Sequence, residues 1–196
     1  MKFILVLILN LSATILFGQS VVEWAPTFEL ELTDFQSPQT EINESFKSYS
    51  LYSGANIDFS FHMTTGQFMF TKNFNSKVAT TFNRSAAVLT APDSLTAHQL
   101  LNFGKYSFDL TELYARRFRK ELNECKGAFS DVSFYKPIYE EIQANMNEEH
   151  ARVLKQTDLG RKSDLLQMEH QQVLSEIEIL SDYCKTCKPP KKKKQK

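Results

Sequence analysis

A long amphipathic helix in the second half of the chain restricts the fold more than any other feature. Pro92 opposes an earlier helix start, and Asp93 or Ser94 can cap the first turn. From there a helical pattern runs to about Glu124. Its apolar residues recur at spacings of three and four, which gives one apolar stripe: Leu110, Leu113, Tyr114, Phe118 and Leu122. A helix of this length must bury that stripe against other elements.

Two further helices are predicted after the first. One runs from about Pro137 to Leu154, and the other from about Ser163 to Asp182. Each carries apolar residues at helical spacing. The inward-facing residues are Ile138, Ile142 and Met146 in the earlier helix, and Leu166, Val173, Leu174, Ile177 and Leu180 in the later one.

The segment from Trp24 to about Phe82 has the alternation of β-strands instead. Apolar and polar residues alternate at Phe28, Leu30 and Leu32, and again from Ile57 to Met63. Thr64-Thr65-Gly66 predicts a hairpin turn before a strand with Phe68 and Phe70. A further short strand is predicted at residues 78–82.

Strands followed by helices predict an α+β fold, in which N-terminal antiparallel strands pack against about three C-terminal helices. The length left after an N-terminal leader suits one domain, which we place at residues 19–183. We expect Leu113, Phe118 and Leu122 to be buried against the strand that contains Phe59 and Phe61.

The first eighteen residues have the pattern of a secretory signal. One lysine precedes a short apolar run that fades into small and polar residues near Gly18. The run is shorter than the roughly 20 residues that a membrane-spanning helix needs. The sequence therefore predicts cleavage between Gly18 and Gln19 and a secreted or periplasmic protein.

The formal net charge is zero, with 23 basic and 23 acidic residues, but the charges are distributed unevenly. Residues 184–196 contain seven lysines and no acid, so the rest of the chain is acidic. An acidic body argues against nucleic acid as a partner. A block of like charges predicts a disordered tail, and contact with an anionic membrane or cell-surface polymer is the alternative.

Three cysteines, Cys125, Cys184 and Cys187, allow one disulfide and leave one residue over. Cys184 and Cys187 have redox spacing, but prolines and lysines follow them and not a helix N-terminus. A zinc ribbon needs a second such pair. The cysteines therefore favour neither a redox nor a metal site, and their pairing stays open.

Residues 108–117 resemble a bacterial family of exported proteins regarded as zinc peptidases, domain-of-unknown-function family 922. Its members carry His-Glu-x-x-His-Phe-Asp followed by a Glu-x-Tyr-Ala-Arg-like stretch, and here Phe108-Asp109 precedes a segment reading Glu112 to Arg116. Trp24, residues 32–35 and residues 78–82 with Ser85 are similar to other family segments, in the same order. The resemblance implies a zincin-like fold.

The residues that would bind zinc in such a family are missing. Two histidines one turn apart and a glutamate carry the chemistry, whereas these positions read Phe103, Gly104 and Ser107. Residues 153–160 are similar to a stretch with a further histidine, where Leu159 stands instead. Asp109 would orient a ligand histidine in a relative that binds zinc, and in this chain it is interpreted as structural.

The other histidines do not restore a site in the sequence. His62, His98, His150 and His170 lack the four-residue spacing of a zinc helix, and a single histidine on a polar helix is usually solvated. There is no Gly-x-Ser-x-Gly elbow for a serine nucleophile. The sequence thus predicts no catalytic residue, no metal and no cofactor.

Three functional hypotheses remain. The leading one is an exported, non-catalytic relative of a zinc peptidase that binds an unknown protein or cell-envelope partner. The second is an active hydrolase with a relocated metal site, and the third is a structural envelope protein. In the first, Phe103, Gly104 and Ser107 lie on one helix face beside a cleft that holds no metal.

Overall fold

The computed structural model describes residues 20–59, 63–127, 131 and 133–191. The predicted signal segment, Phe61, His62 and the last five residues lie outside the described part. Within it the chain forms six strands and four α-helices, with the strands first and the long helices after them. The predicted α+β class is therefore confirmed.

The strands form two three-stranded sheets. Strand β5 (Val78–Asn83) lies between β1 (Val21–Glu23) and β4 (Ala55–Phe59), antiparallel to both. In the second sheet, β6 (Val88–Ala91) pairs in parallel with β2 (Glu41–Ile42) and antiparallel with β3 (Ser50–Tyr52). The second sheet is thus mixed, and the first is antiparallel as predicted.

Helix α2 (Ser94–Cys125) is the central element of the core. The Asp93 carboxylate caps it by accepting a hydrogen bond from the backbone N–H of Thr96 at 2.7 Å. The helix contacts strands of both sheets and also α3 (Tyr135–Thr157) and α4 (Ser163–Ile179). The three long helices are those that the spacing predicts, although α3 begins and ends slightly outside its predicted bounds.

The predicted face of α2 is buried. Leu113, Phe118 and Leu122 are each fully buried, and the ring of Phe118 lies edge-on to that of Phe59 with centroids 5.0 Å apart. The prediction is confirmed for Phe59, whereas Phe61 is not among the described residues.

The predicted strand at Phe28, Leu30 and Leu32 is wrong. Residues Leu32–Asp34 form a short 3-10 helix. The Asp34 carboxylate accepts a hydrogen bond from the backbone N–H of Glu31 at 2.8 Å and pairs with Arg84 at 2.7 Å. These bonds turn the chain, so that Leu30 is buried without a strand pairing.

The predicted hairpin at Thr64-Thr65-Gly66 is also wrong, because α1 (Thr65–Phe70) is a helix. Thr64 and Gln67 form a capping box, in which each side chain accepts a hydrogen bond from the backbone of the other. Helical spacing separates the two phenylalanines: Phe68 is buried, whereas 83% of Phe70 is exposed.

The start of the predicted disordered tail is part of the described structure. A disulfide joins Cys184 to Cys187. The Cys187 carbonyl accepts hydrogen bonds from the side-chain amides of Asn73 and Asn75, at 3.0 and 3.1 Å. These bonds attach the disulfide loop at residues 184–187 to the rest of the described structure.

Candidate functional site

A cavity of about 220 Å³ lies between the first half of α2, helix α3 and the chain around β3 and β4. We call it the α2–α3 cavity. Its lining is mixed, with somewhat more apolar than polar surface: Leu51, Tyr52, Ser53, Ala55, Phe103, Ser107, Leu110, Thr111, Met146, Asn147, His150, Leu154 and Leu159. Three positions that the family resemblance assigns to zinc ligands, Phe103, Ser107 and Leu159, are in this set.

The main polar contact in the cavity joins Ser107 and His150. The Ser107 hydroxyl and the His150 Nε2 lie 3.1 Å apart and share a hydrogen bond. The ring of Phe103 lies edge-on to the imidazole, with centroids 5.3 Å apart. Burial lowers the pKa of His150 because it disfavours the charged imidazolium. The cavity therefore contains a neutral imidazole.

Leu159 reaches the cavity through an unusual turn after α3. Asp158 and Leu159 have φ of 53° and 54°, and Gly160 has φ of 92°. Positive φ costs a bulky residue such as leucine of the order of 1–3 kcal/mol, so surrounding contacts must hold it. One of them is the hydrogen bond from the Gly160 N–H to the Thr157 hydroxyl at 3.2 Å.

Glycine is required at 160 both for its positive φ of 92° and for the close approach of its neighbours. A Cβ added there would lie 2.6 Å from the carbonyl oxygen of Gln99 and 3.1 Å from the Cβ of Phe103. The turn therefore packs directly on the backbone of α2. This close approach places Leu159 beside Phe103, although 56 positions separate them in sequence.

Gly104 does not face the cavity, so the prediction that Phe103, Gly104 and Ser107 share one face holds for only two of them. A Cβ at 104 would meet the side chains of Phe35 at 3.1 Å and Leu30 at 3.4 Å. The cause is the helical geometry, since adjacent residues are rotated by about 100° around the axis. Gly104 permits the close packing of Phe35 and Leu30 against α2.

Asp109 lies on another side of α2 and bonds two distant side chains. Its Oδ1 accepts a hydrogen bond from the Trp24 indole N–H at 2.7 Å, and its Oδ2 lies 2.6 Å from the Nε2 of His170. Asp109 thereby links the start of the chain, α2 and α4. A separate cavity of about 470 Å³ adjoins these residues.

The second half of α2 carries a buried charged cluster of Glu112, Arg116 and Arg119. The Glu112 Oε1 accepts hydrogen bonds from Arg116 at 2.8 Å and from Arg119 at 2.9 Å. Its Oε2 accepts another from the Thr80 hydroxyl at 2.7 Å. All three charged residues are at most 5% exposed, so the Glu112–Arg116 pair is a core contact as well as a helical i,i+4 pair.

The two arginines of the cluster also bond backbone carbonyls. Arg116 donates to the carbonyl of Ile177, and Arg119 donates to those of Val78 and Tyr183. The cluster thus fastens β5 and the end of the helical region to α2. The charged groups of the cluster find their hydrogen-bond partners within the core. We therefore interpret the cluster as structural and not as a ligand site.

A larger groove of about 1190 Å³ runs between α3 and α4 over the solvent side of α2. Charged residues line it, but several are paired with one another. Arg117 contacts Glu176 at 2.5 Å, and Arg152 contacts Glu169 at 2.8 Å. The lining as a whole contains five glutamates and three basic residues, so these pairs neutralise only part of its charge.

The α2–α3 cavity lacks the parts of a serine hydrolase. Ser107 is 2% exposed and sits in the interior of a helix, where neighbouring backbone N–H groups are engaged in helical hydrogen bonds. An acyl-transfer site needs N–H donors aimed at the developing oxyanion. The cavity can therefore hold a mainly apolar group and offer one hydrogen bond to a polar atom attached to it, but it does not assemble a nucleophile with an oxyanion hole.

The interpretation of His150 and His170 as solvated residues is wrong, since each is bonded to a residue of α2. A sequence signal for both was present. His150 continues the inward spacing of Met146 and Val153, and His170 that of Leu166 and Val173. A histidine in register with an apolar stripe indicates a core contact.

Among the described residues, no group of three or more His, Cys, Asp or Glu side chains is placed to hold a metal ion. None of the helices in the described part is both long and apolar enough to cross a membrane.

Comparison of the chain with protein-family models, curated proteins and solved structures found no match.

Proposed function

We propose that this chain is an exported, non-catalytic relative of the zinc-peptidase family, and that its α2–α3 cavity binds a partner at the cell envelope. One observation carries the proposal. Phe103, Ser107 and Leu159, which the resemblance aligns with zinc-binding positions, line the same cavity. None of the three is a usual zinc ligand.

Contacts among the other family-like residues support the same proposal. Trp24 and Asp109 both belong to the resembling segments, and they are bonded directly to each other. Glu112 and Arg116 belong to them too and form the buried cluster. These residues stabilise the framework, whereas the residues required for catalysis are absent, which is the pattern of a fold retained for binding.

The size and chemistry of the cavity limit what it can bind. Small-molecule pockets usually have about 300–1,000 Å³, so a cavity of about 220 Å³ suits a single side chain of a protein partner. Its mixed lining, with apolar residues such as Phe103 and Leu159 beside polar ones, favours an aromatic side chain that carries a polar atom. The Ser107–His150 pair offers one hydrogen bond to a polar atom on it.

Metal analysis tests the non-catalytic part of the proposal. We expect protein purified without added metal to contain zinc far below one ion per chain. Stoichiometric zinc would contradict the proposal and favour the hydrolase hypothesis.

Introducing histidines at positions 103 and 107 tests whether these positions have the geometry of a zinc site. The variant Phe103→His/Ser107→His would add two imidazoles to a cavity that already contains His150. The three imidazoles together could then bind one zinc ion. We expect a gain of at least about 100-fold in zinc affinity over the parent, measured by competition with a chromogenic chelator. The matched variant that also carries His150→Phe should lose most of this gain.

Circular dichroism is the folding control for these variants. If Phe103→His prevents folding, Ser107→His/Leu159→His tests the same cavity from the other side. Folded variants of both kinds without any gain in zinc affinity would show that these positions do not form a degenerate zinc site.

Export is tested separately, by determining the N-terminus of the protein outside the cytoplasm. We expect Gln19 as the first residue. A chain that retains Met1 in every cellular fraction would contradict this part of the proposal.

A further inference from the structure

A surface beside α1 combines exposed apolar side chains with lysines. Met69 and Phe70 are 62% and 83% exposed. A cavity of about 420 Å³ next to them is lined by Met69 and by Lys72, Lys126 and Lys191. We call Met69, Phe70 and these three lysines the α1 basic surface. No acidic residue is among the described residues that line this cavity.

The lysines come together from three separate parts of the chain. Lys126 follows the end of α2, and its ammonium donates a hydrogen bond to the carbonyl of Met69 at 3.4 Å. It also lies 4.9 Å from the ring centroid of Phe68. Lys72 follows α1 directly. The fold thus places two cations around the helix that carries the exposed apolar pair.

The third lysine is held there by the C-terminal segment. Asn75 is fully buried and donates hydrogen bonds to the carbonyls of Asp182 and Cys187. The Cys184–Cys187 disulfide closes the chain between these two carbonyls into a small loop. Pro189 and Pro190 then line the cavity beside Lys191. From this fixed point the sequence continues with Lys192, Lys193, Lys194 and Lys196.

We propose that the α1 basic surface docks on an anionic lipid membrane. Lysines near a membrane surface are attracted by acidic headgroups, and exposed apolar side chains enter the boundary between headgroups and acyl chains. Any polyanion would attract the lysines, but a lipid membrane also offers an apolar layer to Phe70 and Met69, which a soluble polysaccharide or nucleic acid does not. The apolar pair therefore favours a lipid surface as the partner, independently of the α2–α3 cavity.

Vesicle sedimentation tests this docking with the mature full-length chain. We expect binding to vesicles that contain phosphatidylglycerol and weak binding to pure phosphatidylcholine. Met69→Ala/Phe70→Ala should weaken binding by about tenfold or more, because the apolar contact is lost. Lys72→Gln and Lys191→Gln should each weaken it by about fivefold and reduce its salt dependence.

The control is Met168→Ala/Ile179→Ala, which removes two apolar side chains, 70% and 79% exposed, that lie apart on α4. This variant should bind vesicles like the parent. Cys184→Ser/Cys187→Ser should weaken binding without unfolding the domain, because the lysine segment loses its loop.

Two results would overturn the proposal. One is equal binding of the parent to both kinds of vesicle or to neither. The other is unchanged binding of Met69→Ala/Phe70→Ala together with full competition by a soluble polyanion. That second result would indicate a site for an anionic polymer.

Discussion

The two halves of helix α2 are built in opposite ways. In the first half, Phe103 and Ser107 border an uncharged cavity whose polar group is a neutral histidine. In the second half, Glu112, Arg116 and Arg119 fill the core with ions that are bonded to other elements. One helix thus borders the proposed binding cavity in its first half and carries the main charged contacts to other elements in its second. Substitutions should separate these roles.

The largest effect is expected for Arg119→Met in the second half. Glu112 keeps Arg116 as its counter-charge, but the buried carbonyls of Val78 and Tyr183 lose an arginine donor, and each lost hydrogen bond to a charged group costs about 1.5–3 kcal/mol. Urea unfolding monitored by circular dichroism measures the loss. Arg152→Met is the control, since this exposed pair with Glu169 should contribute about 0–1 kcal/mol. Similar losses in both variants would contradict the division of α2.

A second contrast compares Phe118→Ala with Phe103→Ala. Phe118 is fully enclosed by rings of the strand and α3, so its truncation should cost about 3–5 kcal/mol. Phe103 borders an existing cavity, and its truncation should cost less. Equal unfolding midpoints for the two variants would show that the first half of α2 is packed as firmly as the second.

A third, smaller effect concerns the turn that brings Leu159 to the cavity. Gly160→Ala adds a Cβ that meets the Gln99 carbonyl at a residue with positive φ, which should cost roughly 1–3 kcal/mol. Gly66→Ala is the matched control, because no atom lies within 4 Å of its added Cβ and alanine favours a helix by up to about 1 kcal/mol. A neutral Gly160→Ala would indicate a turn free to move away from α2.

The smallest effect is a pH dependence of stability. Burial lowers the pKa of His150 in the folded chain, so below the unfolded value of about 6.5 the unfolded chain binds more protons. The unfolding free energy should therefore fall as the pH drops from 7 toward the lowered folded pKa. His150→Gln should make this fall shallower, whereas His98→Gln, on an exposed residue, should leave it unchanged.

The helices were predictable because their apolar spacing extends over many turns, as in the stripe that contains Leu113 and Phe118. Short alternations were less informative. Phe68 and Phe70 alternate like strand residues, but Thr64 and Gln67 form a capping box that favours helix α1. Local hydrogen bonding decided the structure there, and the Thr-x-x-Gln pattern was readable in advance.

The site was predictable only in part. The resemblance indicated Phe103, Ser107 and Leu159, but the partner of Ser107 is His150 on another helix. The bond between Trp24 and Asp109 joins residues 85 positions apart. No spacing rule gives such pairs, because they depend on how helices and strands pack in three dimensions.

The buried cluster on α2 has a consequence for the order in which the molecule is assembled. Arg116 and Arg119 require the carbonyls of Ile177 and Tyr183, which are among the last residues of the domain to be synthesised. Until these residues are synthesised, the guanidinium groups of Arg116 and Arg119 each lack a hydrogen-bond acceptor that they have in the complete fold. The hydrogen bonding of this cluster is therefore completed only when the end of α4 and the residues that follow it have been synthesised.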